Sequence, residues 1–545
     1  MRTSPASLNG IKNFGGMTQL AVGLLLGLLT SCVVDDPSLT PVASQGLPAA
    51  DDRAAIDAAF EQLPQEPVGD VCTGGRFRCF AHIRKTSTNR IHGYATPNGL
   101  GAADLAAAYG IDPTLPATAT IAIVDAYGYP NLESDLAAYR SQYGLPPCTV
   151  ANGCLVIRNQ SGQASPLPPP PPAGDDWTIE TALDVDMASA ACPSCKLLVV
   201  QADDDQGNGL FIANNAAVTL GATVVSNSWG GPEQPGVSLA ATEAYFNHPG
   251  VAIFASSGDN GYNDGGQGPD YPATSQHTIA VGGTTLVRTA GGRGFTERAW
   301  SLGGSACSLS IPKPGYQTGS PCANRASADV AAVGDPATGL AIYNAGAGGW
   351  GVVGGTSAAS PLVAGMFAAT GHGHETAQFA YINAAKFYDV STGANGGCGT
   401  ILCNAGAGWD GPTGVGTPNF TALQPGGGSG PGPSVAITAP ADGAQVAPGF
   451  AITANSGATT VRLEVTIDGT VVSTLTAAPF TYTAPMTLTA GAHTVELVAY
   501  DAAGSATHTP KVTVNLASGG GAPDANPGEI TGGCATGRAD GGIVL

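Results

Sequence analysis

The chain has 545 residues, with 79 Gly, 41 Pro, and 20 Lys+Arg against 40 Asp+Glu for a formal net charge of -20. That length exceeds one domain of usual size and the hydrophobic content is ordinary, which excludes general disorder. The charge argues against nucleic acid or an anionic membrane surface as the main partner, and a surface so rich in carboxylates tolerates low pH.

The first 32 residues carry Arg2 and Lys12 ahead of an apolar run from Leu20 to Leu29, then small Ser31 and Cys32. The pattern predicts export, extracellular or to a bacterial cell envelope. Leu29-Thr30-Ser31-Cys32 resembles a lipoprotein cleavage box in which Cys32 takes a lipid anchor; an ordinary signal peptide is the alternative. The apolar run is too short for a membrane span. Export also permits disulfides between the close pairs Cys72/Cys79, Cys148/Cys154, Cys192/Cys195, Cys307/Cys322 and Cys398/Cys403, with Cys534 left alone. Cys192-Pro-Ser-Cys195 also has the spacing of a redox motif, but no thioredoxin-like strand-to-helix start surrounds it.

Residues 33–92 read as a short, mildly acidic N-terminal region with one helical pattern at Asp51 to Leu63. Regular elements then become dense. TATIAIVDAY (118–127) predicts a buried strand ending in Asp125, and LESDLAAYRSQYG (132–144) the following helix. Helix 177–190 precedes strand 196–202, helix 211–219 precedes strand 222–230, and helix 236–249 precedes strand 251–259. A last helix begins around Thr356. The rhythm predicts a doubly wound α/β domain over 93–423, with a mostly parallel sheet and helices on both faces.

A Gly/Pro linker, 424–434, ends that domain. Short alternating strands over 435–516 predict a small Ig-like β-sandwich, and 517–545 is a tail of flexible composition. Such a module supplies spacing or contact with a surface or substrate more often than chemistry.

Ser357 lies in Gly354-Gly355-Thr356-Ser357-Ala358-Ala359-Ser360-Pro361. The glycines permit a tight backbone approach, and Pro361 is compatible with a first helical turn. A helix-capping serine in a Gly-rich turn has the same look. A serine nucleophile needs a base, and none of the eight histidines follows a strand or opens a helix in the expected way. Glu180 and Asp184 in WTIETALDVDMA are i,i+4 and share a helix side among apolar neighbours, where partial burial would couple their protonation. Solvated acidic pairs are common, so the spacing alone does not decide. Asp259 in SSGDNG ends a strand where active sites of such sheets gather; protonated, it could donate to an oxyanion, and as an Asx residue it could simply form the turn.

Taken together, these motifs resemble those of the sedolisin family of serine-carboxyl peptidases. AIVDAYGYPNLESDLAAYRSQYGLP, YPATSQHTIAVGGTTL and ADVAAVGDPATGLAIYNAGAGGWGVVGGTS are similar to the family as well. The resemblance covers 93–421. It implies a subtilisin-like fold and a serine-type endopeptidase active in acid on protein or peptide substrates. Glu180 would be the base, Asp184 its support, Ser357 the nucleophile and Asp259 the oxyanion aspartate. It further implies one structural Ca2+, held by Asp389 and Asp410 with the carbonyls of Val390, Gly406 and Gly408; hard oxygens on a glycine-rich loop suit that ion. Ser226 to Gly230 resembles the strand edge on which the family lays an extended peptide. Two departures stand out: the family's large N-terminal prosegment is represented by only about 60 residues between Cys32 and the catalytic region, and a β-module is appended. They motivate an alternative, a catalytically silent peptidase-like surface or peptide-binding protein. A His-dependent subtilisin-like enzyme is a further one.

Overall fold

The apolar run at 118–127 has no polar face to leave outside, and it becomes the middle of a sheet. Thr120–Ala126, buried from its second residue onward, lies between Val224–Asn227 and Lys196–Ala202 and runs parallel to both. In spatial order the sheet is Phe295–Ala299, Ile279–Arg288, Ala252–Ser256, Val224–Asn227, Thr120–Ala126, Lys196–Ala202 and Leu155–Asn159, with Val330–Val333 also paired to Ile279–Arg288. Phe295–Ala299 is antiparallel to its neighbour and the other pairings are parallel. The computed structural model describes residues 50–64, 66–234, 239–290, 292–424, 435–457, 460–476, 480–500, 506–509 and 511–517. The leader with Cys32, the linker from 425 to 434 and the tail with Cys534 lie outside the described residues.

Two helices fix the site. Trp177–Ala191 and Thr356–Ala369 pack on each other, and the second also packs on Val224–Asn227, Ala252–Ser256 and Val330–Val333. Their close approach depends on Gly365: a Cβ there would lie 2.5 Å from the Ala191 Cβ, inside van der Waals contact. Pro361 falls beyond the first turn of its helix and removes the N–H that would bond the Ser357 carbonyl. The Ser228 hydroxyl donates to that carbonyl instead, at 3.4 Å.

Some expected boundaries move. The strand expected over 222–230 breaks at Ser228 into Val224–Asn227 and Trp229–Pro232. Of the helix expected over 236–249, the described residues form a single turn, Ala240–Glu243, where the Glu243 carboxylate accepts from Tyr271 and the Gln276 N–H and so ties the turn to a neighbouring loop. Short strands at 68–84 had no counterpart in the sequence pattern. Val68–Asp70 pairs with His82–Arg84, which pairs in turn with Gly349–Gly354, while Arg78–Cys79 pairs antiparallel with Trp229–Pro232. All five expected disulfides are formed.

The C-terminal strands form one sheet of Val435–Ala439, Ala451–Ser456 and Thr481–Thr483, and a second built around Arg462–Ile467 and Gly491–Tyr500. Ile452, Leu463, Val465, Val495, Leu497 and Val514 make its own core, as expected of a sandwich. Among the described residues no helix is long and apolar enough to cross a membrane.

Candidate active site

Every residue of Trp177–Ala191 except Thr178 is buried, although the helix carries Glu180, Asp184 and Asp186. Glu180 and Asp184 are both fully buried, and their carboxylate oxygens take no hydrogen bond among the described residues. Burying an unpaired charge is prohibitive, so such groups hold their protons. Burial raises Glu180 well above the usual carboxyl range, the neighbouring Asp125 charge raises it further, and the Ser357 hydroxyl opposes this in part. Asp184 is raised by burial, then by Asp125 and Glu180, with the Ser228 hydroxyl opposing.

Asp125 is therefore a third member that the sequence reading placed at a strand end without a site role. It is fully buried, both its oxygens lack partners, and burial pushes it up to about 7. Three carboxyl groups in one low-dielectric pocket cannot ionise independently; they form a coupled proton store. The available signal was an acid at the carboxyl end of a central parallel strand, where ligands of such sheets bind.

Ser357 is the second residue of its helix and completely buried. Its Oγ donates to the Ser228 carbonyl at 3.0 Å and accepts the Phe80 N–H at 3.0 Å. No hydrogen bond closes between Ser357 and Glu180 in this arrangement. Gly355, immediately before the helix, has φ +113°, which a side chain would strain.

Asp259 lies three residues beyond the Ala252–Ser256 strand. One of its oxygens accepts both the Thr356 N–H and the Thr356 hydroxyl at 2.8 Å, fixing the start of the serine helix. The other lies 3.3 Å from His82 Nε2, and His82 Nδ1 is 3.0 Å from Asp70. Burial pushes Asp259 up to about 6, against the lowering influence of His82 and Thr356. The sequence around His82 shows no acid-base context; Asp70 and Asp259 supply one through the fold. The Asp70 hydrogen bond and the Asp259 charge raise its pKa, outweighing a larger opposing effect of burial.

Backbone N–H groups of the loop at 406–413 donate to both carboxylates of the expected calcium site. The Gly406 N–H donates to Asp410 and the Gly408 N–H to Asp389. Asp410 is buried and burial pushes it up to about 7, with the Asp389 charge adding to the shift. Thr413 Oγ1 lies 3.5 Å from the Val390 carbonyl and also bonds Asp410. Two carboxylates and turn carbonyls, one carboxylate buried beside the other's charge, fit a hard divalent cation. Among the described residues no group of three or more His, Cys, Asp and Glu side chains gathers as a metal site, so the carbonyls would be needed.

A profile of the Subtilase family matches residues 177–393, and one of a bacterial Ig domain matches 433–497. Kumamolisin of Bacillus sp. (strain MN-32) is 32% identical over 359 residues, covering 59% of this chain and 63% of its own. Sedolisin of Pseudomonas sp. (strain 101) is 30% identical over 365 residues, covering 56% and 57% respectively. The chain thus spans somewhat over half the length of the curated relatives it matches. A solved structure described as Pseudomonas sedolisin (serine-carboxyl proteinase) complexed with two molecules of pseudo-iodotyrostatin superposes with a TM-score of 0.50 at 26% identity, covering 60% of this chain and 98% of that one. With the parallel sheet and the arrangement around Ser357, these likenesses make the chain a homologue of the sedolisin and kumamolisin family, related to the subtilases and carrying an added Ig-like module.

Proposed function

We propose that residues 93–423 form a serine-type endopeptidase that cleaves protein or peptide substrates in acid. The observation that carries the reading is the buried Glu180–Asp184–Asp125 carboxyl group set against the Ser357 hydroxyl. Ser357 Oγ attacks the scissile carbonyl as Glu180, ionised while Asp184 and Asp125 keep the set's protons, takes the hydroxyl proton, and Glu180 then returns that proton to the leaving amine. Asp184 and Asp125 hold Glu180 and share its protons. Asp259, protonated, donates to the developing oxyanion alongside the Ser357 N–H. Water hydrolyses the acyl-enzyme with Glu180 as base.

Asp389 and Asp410, with the carbonyls of Val390, Gly406 and Gly408, would hold one Ca2+, which supplies rigidity to the last loops of the domain. The five disulfides support an oxidising compartment outside the cytosol. The lipid anchor at Cys32 and a surface or substrate contact through the β-module extend that reading.

Hydrolysis of an unfolded protein at about pH 4, read against Ser357→Ala, tests the proposal. Turnover by the wild type and none by the variant is expected; equal turnover overturns it. A second reading, a silent peptide-binding protein, is favoured by the donation of the serine hydroxyl to Ser228 rather than to an acid. Peptide binding without turnover at any pH would support that one.

A further inference from the structure

Resting on the peptidase reading, we propose that the chain's own segment Arg78–Ala81 lies in the Ser357 cleft as a substrate, that the bond broken is Phe80–Ala81, and that this cleft selects an aromatic residue before the cleaved bond and a basic residue two positions earlier.

A serine site needs the peptide extended, the acyl residue fixed by its own N–H, and its carbonyl oxygen set against donors. All three meet on one residue. Arg78–Cys79 pairs antiparallel with the strand edge, Arg78 opposite Gly230 and Cys79 opposite Trp229. The Phe80 N–H donates to the Ser228 carbonyl at 3.1 Å. The Phe80 carbonyl accepts the Ser357 N–H at 3.0 Å, at the start of the serine helix. A Cβ built on Gly355 would meet that carbonyl oxygen at 2.0 Å and the free Asp259 oxygen at 2.6 Å, so carbonyl and carboxyl converge over the same glycine. Beyond the bond, pairing continues: His82 is opposite Gly354 and Ile83 opposite Val353. A loop that merely covered the cleft would have no reason to place the N–H and C=O of a single residue on the serine's own Oγ and N–H.

The side chains report what the cleft accepts. The Phe80 ring is 2% exposed and lies against Gly230, where a Cβ would come within 2.8 Å of its Cε2 and Cζ atoms. Only a residue without a side chain at 230 leaves that room. The Arg78 guanidinium reaches both Asp264 oxygens, at 2.7 and 2.9 Å. Asp264 is itself buried and held by Asn260, with Asp270 behind it. A buried carboxylate waiting for a cation discriminates strongly against an acidic side chain.

The step balances without any co-reactant but water. Ser357 Oγ forms an ester with the Phe80 carbonyl carbon, the bond to the Ala81 nitrogen breaks, and the amine takes the proton held by Glu180. Water then adds to the ester and returns the serine hydroxyl. The products are a segment ending in the Phe80 carboxylate and a chain beginning at the Ala81 amine.

The full chain, held at about pH 4 and followed by N-terminal sequencing and intact mass, should acquire an Ala81 terminus. Ser357→Ala should not, and Phe80→Asp should slow the cut at least about tenfold. The processed wild type gives a second measurement that needs no variant of the segment. A peptide with Arg two residues before a Phe–Ala bond should exceed its Glu counterpart about tenfold in kcat/KM, mainly through KM, and Asp264→Asn should reduce that ratio toward one. Cleavage of unfolded protein with no Ala81 terminus and no Arg or Phe preference overturns this inference and leaves the peptidase reading standing. An Ala81 terminus in Ser357→Ala also overturns it. No turnover of any substrate by folded protein overturns both.

Discussion

Asp259 holds Thr356 through one carboxylate oxygen, by two hydrogen bonds of 2.8 Å, and keeps the other 3.3 Å from His82 Nε2. The first oxygen orders the serine helix and the second is free for chemistry. On the proposed mechanism that second oxygen must carry a proton, and burial pushes the group up to about 6. Activity should therefore fall as pH rises through about 6. Asp259→Asn keeps an acceptor for Thr356 and a donor at every pH, so its alkaline limb should move upward. Asp259→Ala should lose about 10²–10³ in kcat, the usual cost of an oxyanion donor. A kcat/KM profile from pH 3 to 8 for the three proteins checks this; identical alkaline limbs would refute it.

Glu180→Gln should lower kcat by about 10²–10⁴, the range expected for a general base. Asp125→Asn should act differently. Asp125 competes with Glu180 for the one negative charge the coupled set carries, so removing it leaves that charge to Glu180 at lower pH and shifts the acidic limb of the profile downward. A change in rate with no shift of that limb would mean that Asp125 serves packing alone.

The same buried acids give a sign for stability. Asp125 rises from 3.8 to about 7, so its contribution is complete below the unfolded value and is lost as pH climbs toward 7. That shift corresponds to about 4 kcal/mol for this residue at neutral pH. His82, also raised, acts in the same direction. Glu375, held at about 2 beside His372 and His374, titrates below this window. Tm should therefore be several degrees higher at pH 4.5 than at 7.5, and Asp125→Asn should flatten the slope. A wild-type Tm that rises over that interval would contradict the assignment.

Calcium makes a separate prediction. If Asp389 and Asp410 hold the ion, a calcium concentration one hundred times its Kd should add about 2.7 kcal/mol, reversed by a chelator. Asp410→Asn should abolish the response, in thermal unfolding as well as in activity. A Tm indifferent to calcium in the wild type would remove the site.

The parallel sheet and the serine helix were legible because long apolar strands and an alanine-rich helix repeat with fixed periods. Glu180 and Asp184 were legible because one helical turn puts them together. Asp125 was visible as a strand end, but its meeting with that helix depends on how sheet and helix stack. The strands between 68 and 84 are two or three residues long, too short for any period, and Arg78–Cys79 and His82–Arg84 find partners more than a hundred residues away. His82 gains its setting only from that pairing. The one-turn helix at 240–243 marks the opposite error, a helical composition that tertiary contacts cut short.

Gly365 stands eight residues past the serine, about 12 Å along its helix, where no chemistry happens. Because the two helices touch there almost backbone to backbone, the spacing of acid and hydroxyl is gauged at a remote pivot. Any bulk at that pivot would swing both partners apart together, so an inactive yet well-folded variant need carry no change within reach of substrate.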